Sequence, residues 1–220
     1  MHDATRSDQS PVISYRALRK MVGILGIALP FVLFAGGHIS SGNGIQSSIS
    51  YYYHTDMRDV FVGTLCVIGF FLLSYRGHER KDDYAGDAAC VFVLMVAFIP
   101  TAKDGEALQG LLNHANVHQF FAAAFFVTLS YFSLFLFTKT HQNGIPTRRK
   151  QQRNRIYRIC GGTMILCISL IILYMQVLWD TYDWLDAINP VYWLEAIAIS
   201  AFGLSWLTKG RAILNEKAGN

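Results

Sequence analysis

Two histidines four residues apart, His114 and His118, open the run NHANVHQFF, and a third, His54, closes the tyrosine-rich stretch SYYYH that begins at Ser50. Residues four apart on a helix share a face. His114 and His118 can therefore chelate one ion, and with His54 plus a carboxylate or water they supply the donor set of a tetrahedral zinc site. A zinc ion with one open position makes its bound water a nucleophile near neutral pH. Asp59 or Glu195 would then serve as general base, and hydrolysis of a lipid amide or ester is the reaction implied. The pair lacks the glutamate of HExxH. Equally, the three histidines can be neutral residues that cap helix starts or bond loop carbonyls, and the sequence leaves both readings open.

Glu195 is the charge within the apolar stretch Ala187 to Thr208. A carboxylate inside a membrane helix costs about 2.5–3.5 kcal/mol on insertion scales, so it must face the bundle interior and find a partner or a proton. Its readings are a contact to ligand, proton or cation, or a buried structural hydrogen bond. Together with His118, His54, Asp59 and Ser50 it forms the leading candidate site, a polar cavity that binds a lipid or small ligand without covalent chemistry. Proton-coupled transport through Glu195 and His118 is a further alternative, though no inverted repeat or broken helix pair accompanies them. Asp59, at the start of a helix, also suits the positive end of the helix dipole.

The elements that must position these residues follow from composition. Of 220 residues, 52% are hydrophobic and 15% charged. Soluble domains carry about a quarter charged residues, so a water-soluble globule is excluded, as is intrinsic disorder. A bilayer core needs about 20 apolar residues in helix, and the gaps between charges offer six: 21–37, 59–76, 85–102, 118–138, 158–179 and 188–208. No strand alternation is present. The expectation is an all-α, polytopic six-helix bundle forming one domain. Small residues at Gly23, Gly26, Ala122, Ala123, Ala124, Gly161, Gly162, Ser200 and Gly203 would let helices approach, and Pro30 would kink the first helix.

With both termini cytoplasmic, all of the 19 Lys and Arg except Arg58 and Lys103 fall on the inner side. That asymmetry fits the positive-inside rule and a bacterial plasma membrane. The net charge of +4 thus averages two opposite faces and does not argue for nucleic acid. In TRRKQQRNRIYR, residues Arg148, Arg149, Lys150, Arg153, Arg155 and Arg158 are expected to touch anionic headgroups, at about 1 kcal/mol per cation. The four cysteines, Cys66, Cys90, Cys160 and Cys167, lie in expected helices and form no CxxC pair, so packing is their role. The first apolar run is expected to be retained rather than cleaved as a signal peptide. Trp179, Tyr182, Trp184, Tyr192 and Trp193 would form an aromatic belt at the outer boundary.

Ser50-xxx-His54, Asp83-Tyr84-Ala85-Gly86 and His114-xxx-His118 resemble the metal signature of the intramembrane hydrolases that include alkaline ceramidases and progestin/adipoQ receptors. That superfamily has its HxxxH in the last of seven spans; here the pair opens the fourth of six, and Asp83 falls on the opposite side. More of the chain resembles the DRAM-type six-helix membrane proteins. The segment ISYYYHTDMRDVFVG leads into the second span and VHQFFAAAFFVTLSYFSLF opens the fourth, with Ile49, Ser50, Phe61, His118, Ala122 and Phe125 or Phe126 carrying the match. The glycine and proline pattern that follows Ile-Ser in that group is absent. The resemblance implies an endomembrane or bacterial membrane protein linked to lipid handling or trafficking and no established catalytic mechanism; apart from the zinc of the alternative reading, no cofactor is expected.

Overall fold

The computed structural model describes residues 15–42, 44–75, 80–103, 110, 113–139, 147–178 and 187–213. Among them are six α-helices and no strand: α1 (Tyr15–Ser41), α2 (Arg58–Leu73), α3 (Arg80–Phe98), α4 (His114–Tyr131), α5 (Arg148–Leu173) and α6 (Pro190–Lys209). A 3-10 turn, Ser50–His54, precedes α2, and π turns at Phe132–Leu136 and Tyr174–Leu178 extend α4 and α5. The second and fifth expected spans end at Arg76 and Trp179, and these two residues, Tyr182 and Trp184 lie outside the described residues.

Local chemistry sets the helix ends. The Asn113 side chain accepts from the Asn116 backbone N–H at 2.8 Å and starts α4, while the Thr147 hydroxyl accepts from Lys150 N–H and starts α5; both satisfy donors that no helical carbonyl can reach. Pro190 occupies the first turn of α6 behind Asn189, which sits at φ 50°. Helix α3 stops at Phe98 because Pro100 lacks an N–H and disfavours helical backbone at Ile99.

Each helix packs on its neighbours in sequence, and α6 returns to pack along α1, so the six form a ring. Contacts at the two ends show that the helices alternate in direction. At one end, the loop end, the second turn of α6 meets the segment before α2. At the other, the basic end, Tyr75 after α2 stacks edge-on against Trp206 of α6 at 5.8 Å. The closest approach is between α1 and α6. A Cβ on Gly203 would lie 2.5 Å from the Gly23 carbonyl oxygen, and one on Gly23 would lie 2.7 Å from that of Gly203. Gly161 is equally crowded by Leu134, but a Cβ on Gly162 would meet nothing within 4 Å, so that glycine is not a packing contact. The interior is aromatic towards the basic end, where Tyr75, Phe132, Phe137, Tyr157, Phe202 and Trp206 are all buried.

Four helical stretches, Arg16–Ser41, His114–Leu136, Arg148–Val177 and Pro190–Lys209, are long and apolar enough to cross a membrane. The other two helices differ for visible reasons. Sixteen residues give α2 a rise of about 24 Å, and α3 begins with Arg80, Lys81, Asp82 and Asp83 and carries Asp87 one turn later. Large apolar side chains point outward around the ring, including Phe31 at 62% exposure, Phe70, Val91, Phe120, Ile159 and Leu166. Soluble monomers do not leave such a continuous apolar surface in water, and the architecture fits a multi-pass membrane protein.

Several boundaries differ from those read in the sequence. Helix α1 begins and ends beyond the expected 21–37, continuing through Pro30. The basic run 148–158, expected as a connecting segment, is the first three turns of α5. A hydropathy argument locates the apolar part of a helix; capping and backbone bonding carry the helix past it into polar sequence.

Candidate functional site

At the loop end, Glu195 lies in the second turn of α6 and reaches across to the 3-10 turn. Its Oε2 accepts from the Ile49 backbone N–H at 2.6 Å, and the Ser50 N–H also donates to the carboxylate. A 3-10 turn leaves its first N–H groups without internal partners, and a carboxylate from another helix supplies them. Asn189, just before α6, adds a second tie by donating from Nδ2 to the Ile45 carbonyl at 3.3 Å.

Two histidines hold the segment that leaves α3. His118 Nδ1–H donates to the Ile99 carbonyl at 2.6 Å. His54 Nε2–H donates to the Thr101 carbonyl at 2.9 Å. Pro100 ends α3 and leaves these terminal carbonyls without helical donors, so the two rings complete the backbone bonding of the turn. His118 is 3% exposed. His114, on the same face of α4 one turn earlier, is half-buried.

Between α4, α5 and α6 lies a cavity of 110 Å³. Its polar side is made by Glu195, His118, Ser48, Ser50, Thr101 and Gln119. Its apolar wall is Ala122, Ala123 and Phe126 of α4, Ile168, Ile171, Ile172 and Met175 of α5, and Val191 of α6. Ile172 is 51% exposed, so the α4–α5 side of the cavity opens towards the outer surface of the bundle. A second, smaller space of 40 Å³ lies deeper, lined by Leu29, Phe61, Leu65, Val96, Phe125 and Ile199, and it shares Ser50, Ala122, Phe126 and Glu195 with the first. Glu195 therefore stands at the wall between the two. The π turn at Tyr174–Leu178 sets Met175 against the cavity; π turns are frequent where a helix borders a functional site.

Of the residues singled out in the sequence, Glu195, His118 and Ser50 come together on this cavity. His54 is tied to Thr101 and does not line it, and neither does His114. Asp59 is exposed in the first turn of α2, where its charge favours the helix start; it is not part of the cavity. Among the described residues no three His, Cys, Asp or Glu side chains gather closely enough to hold a metal ion. Two of the three expected zinc ligands each use a ring nitrogen on a backbone carbonyl. The cavity also depends on residues that the sequence did not single out, Thr101, Gln119 and the α5 isoleucines.

The six cations of the basic stretch divide as well. Arg148, Arg149, Arg155 and Arg158 are exposed, while Lys150 is half-buried and Arg153 is 8% exposed. Lys150 donates from Nζ to the Phe137 carbonyl at 3.0 Å. Arg153 thus faces the bundle and not the headgroups, because it lies one turn before buried Tyr157 on the inner stripe of α5.

No protein-family model matches the chain, and no curated protein or solved structure does.

Proposed function

We propose that this chain is a six-span plasma-membrane protein of bacterial type, with both termini cytoplasmic, that binds an amphipathic ligand at its loop end. The polar head enters the 110 Å³ cavity beside Glu195, and the ligand's chain lies along the α4–α5 seam. The observation that carries this reading is the pairing of one carboxylate with an isoleucine-lined wall that opens outward at Ile172. Volume limits the ligand. Pockets that enclose a whole drug-sized molecule run about 300–1,000 Å³, whereas 110 Å³ accommodates a small polar group. The bulk of the ligand therefore remains outside, against apolar surface. The acceptor character of Glu195 favours heads that donate hydrogen bonds or carry positive charge.

The positive-inside distribution supports the orientation, and the DRAM-type resemblance supports a role in lipid handling. The exposed Arg148, Arg149, Arg155 and Arg158 are placed to touch anionic headgroups. No covalent step is included.

Single-chain amphiphiles of one chain length with amine, hydroxyl, phosphocholine and sulfate heads, titrated against the full chain in nanodiscs, test the proposal. The alkylamine should bind tightest. Glu195→Gln should weaken it about tenfold or more, by removing a charge-assisted bond. Equal binding of all four heads, or an unchanged alkylamine affinity in Glu195→Gln, would contradict the reading.

A further inference from the structure

The cavity beside Glu195 holds more hydrogen-bond acceptors than its own walls can serve. The bond from His118 to the Ile99 carbonyl, 2.6 Å long, fixes the ring and its tautomer. A carbonyl oxygen only accepts, so Nδ1 carries the proton, and in a neutral imidazole the other nitrogen, Nε2, is then an acceptor. His118 is 3% exposed and lines the cavity. Its Nε2 has no hydrogen-bond partner among the described residues.

Glu195 is the second fixed acceptor. An ionised carboxylate has about four lone-pair sites; the Ile49 and Ser50 N–H groups use two of them, and the others remain for a ligand. The rest of the polar lining brings few hydrogens. Ser48 Oγ already accepts from the Tyr51 N–H at 3.0 Å. The hydroxyls of Ser50 and Thr101 give as many hydrogen bonds as they need in return. Of the lining side chains only Gln119, half-buried at the cavity mouth, brings a fixed donor of its own. Buried acceptors in native proteins find donors, and an unserved one costs more than an ordinary bond gains. Two buried acceptors on one small cavity call for a ligand group that carries two or more hydrogens.

We infer that the head entering this cavity is a primary or secondary ammonium, with one N–H on the Glu195 carboxylate and another on His118 Nε2. The inference rests on the amphipathic-ligand reading above and narrows it. Positive charge alone suits Glu195, whereas His118 requires a hydrogen on the ligand nitrogen. His118 is therefore a specificity-determining residue, besides holding the end of α3 through its other nitrogen. A trimethylammonium head meets the carboxylate but leaves Nε2 bare, and a sulfate or phosphate head presents acceptors to acceptors. In a primary ammonium the third N–H is left for the Ser50 hydroxyl, which borders both the outer and the deeper cavity. The ammonium is borne by a single-chain amine or by the ethanolamine head of a phospholipid.

Alkylamines of one chain length, unmethylated or carrying one, two or three N-methyl groups, titrated against the full chain in phosphatidylcholine nanodiscs at about pH 8, test the inference. All four heads are cationic there, because alkylamines titrate in the lysine range, so only the number of N–H donors changes. Affinity should hold through the first methylation and fall about tenfold at the second, where one donor remains for two acceptors. His118→Phe should remove that step while keeping the preference for amine over sulfate heads. Should the variant fail to fold, nitrogen-15 spectra of the histidine-labelled unsubstituted chain decide: one unprotonated Nε2 signal should shift with the primary amine and none with the trimethyl compound. Phosphatidylethanolamine in the nanodisc should compete with the alkylamine if a phospholipid is the source, and undiminished alkylamine binding would assign the site to a single-chain amine. Equal affinity for all four amines, with sulfate still rejected, or an unmoved Nε2 signal, would overturn the inference and leave the cationic-head reading standing. No preference for amines over sulfate would remove that reading too.

Discussion

At the scale of single residues, the loop end is held by side chains that bond to backbone. Glu195 completes the start of a 3-10 turn, and His118 and His54 complete the end of α3. Replacing His118 with Phe keeps an aromatic ring of similar size but strands the Ile99 carbonyl. A lost partner in a buried site costs about 1–3 kcal/mol, and that loss should appear as a lowered midpoint in detergent unfolding, with faster hydrogen exchange after Pro100. His114→Phe, at a half-buried position one turn earlier, should move the midpoint less. An equal effect of the two substitutions would mean that the His118 bond does not hold the turn. Glu195 was legible in the sequence because a lone carboxylate in an apolar helix must face inward. Its partner was not, because Ile49 offers only a backbone N–H, 146 residues away, and backbone groups leave no signature in sequence.

At the scale of elements, the ring closes where α6 returns to α1, and glycine makes the closure possible. Gly203 and Gly23 bring the two backbones so close that any Cβ would sit against a carbonyl oxygen. Gly203→Leu should therefore destabilise the bundle by about 1–3 kcal/mol or more, since backbone cannot move aside as a side chain can. Gly162→Leu, with open space around it, should be tolerated in the same unfolding assay. Loss from both, or from neither, would contradict the described α1–α6 contact. Small residues announced close approach in general terms, yet the sequence could not separate Gly161, which meets Leu134, from Gly162, which meets nothing; adjacent helix positions point about 100° apart. Arg153 was misplaced for a related reason: amid a run of basic residues its inward direction is set by its place on the buried stripe of α5 one turn before Tyr157, not by its charge.

At the scale of the whole molecule, apolar composition foretold helices and excluded a soluble core, because the requirement for about 20 apolar residues per span is independent of packing detail. It predicted less well the ends of α1 and α5, which run into polar sequence. The alternating directions of the helices place Asp56 and Lys103 at one end and Thr147 and Ala212 at the other. On a background with Cys66, Cys90, Cys160 and Cys167 replaced, single cysteines at Asp56 or Lys103 should react with a membrane-impermeant maleimide in intact cells. Those at Thr147 or Ala212 should react only after permeabilisation. Labelling of all four from outside would remove the proposed orientation.

The central claim, an amphipathic ligand seated between α4, α5 and α6, is tested most directly by photocrosslinking. A long-chain alkylamine carrying a diazirine near its head, irradiated with the full chain in nanodiscs and mapped by mass spectrometry, should label Gln119, Ile171, Ile172 and Met175, the residues around the cavity mouth. Ala122→Phe, which fills the cavity from α4, should abolish that labelling while leaving the chain folded. Label spread evenly over outward-facing residues such as Phe70, Val91 and Leu166, unchanged by Ala122→Phe, would contradict the account.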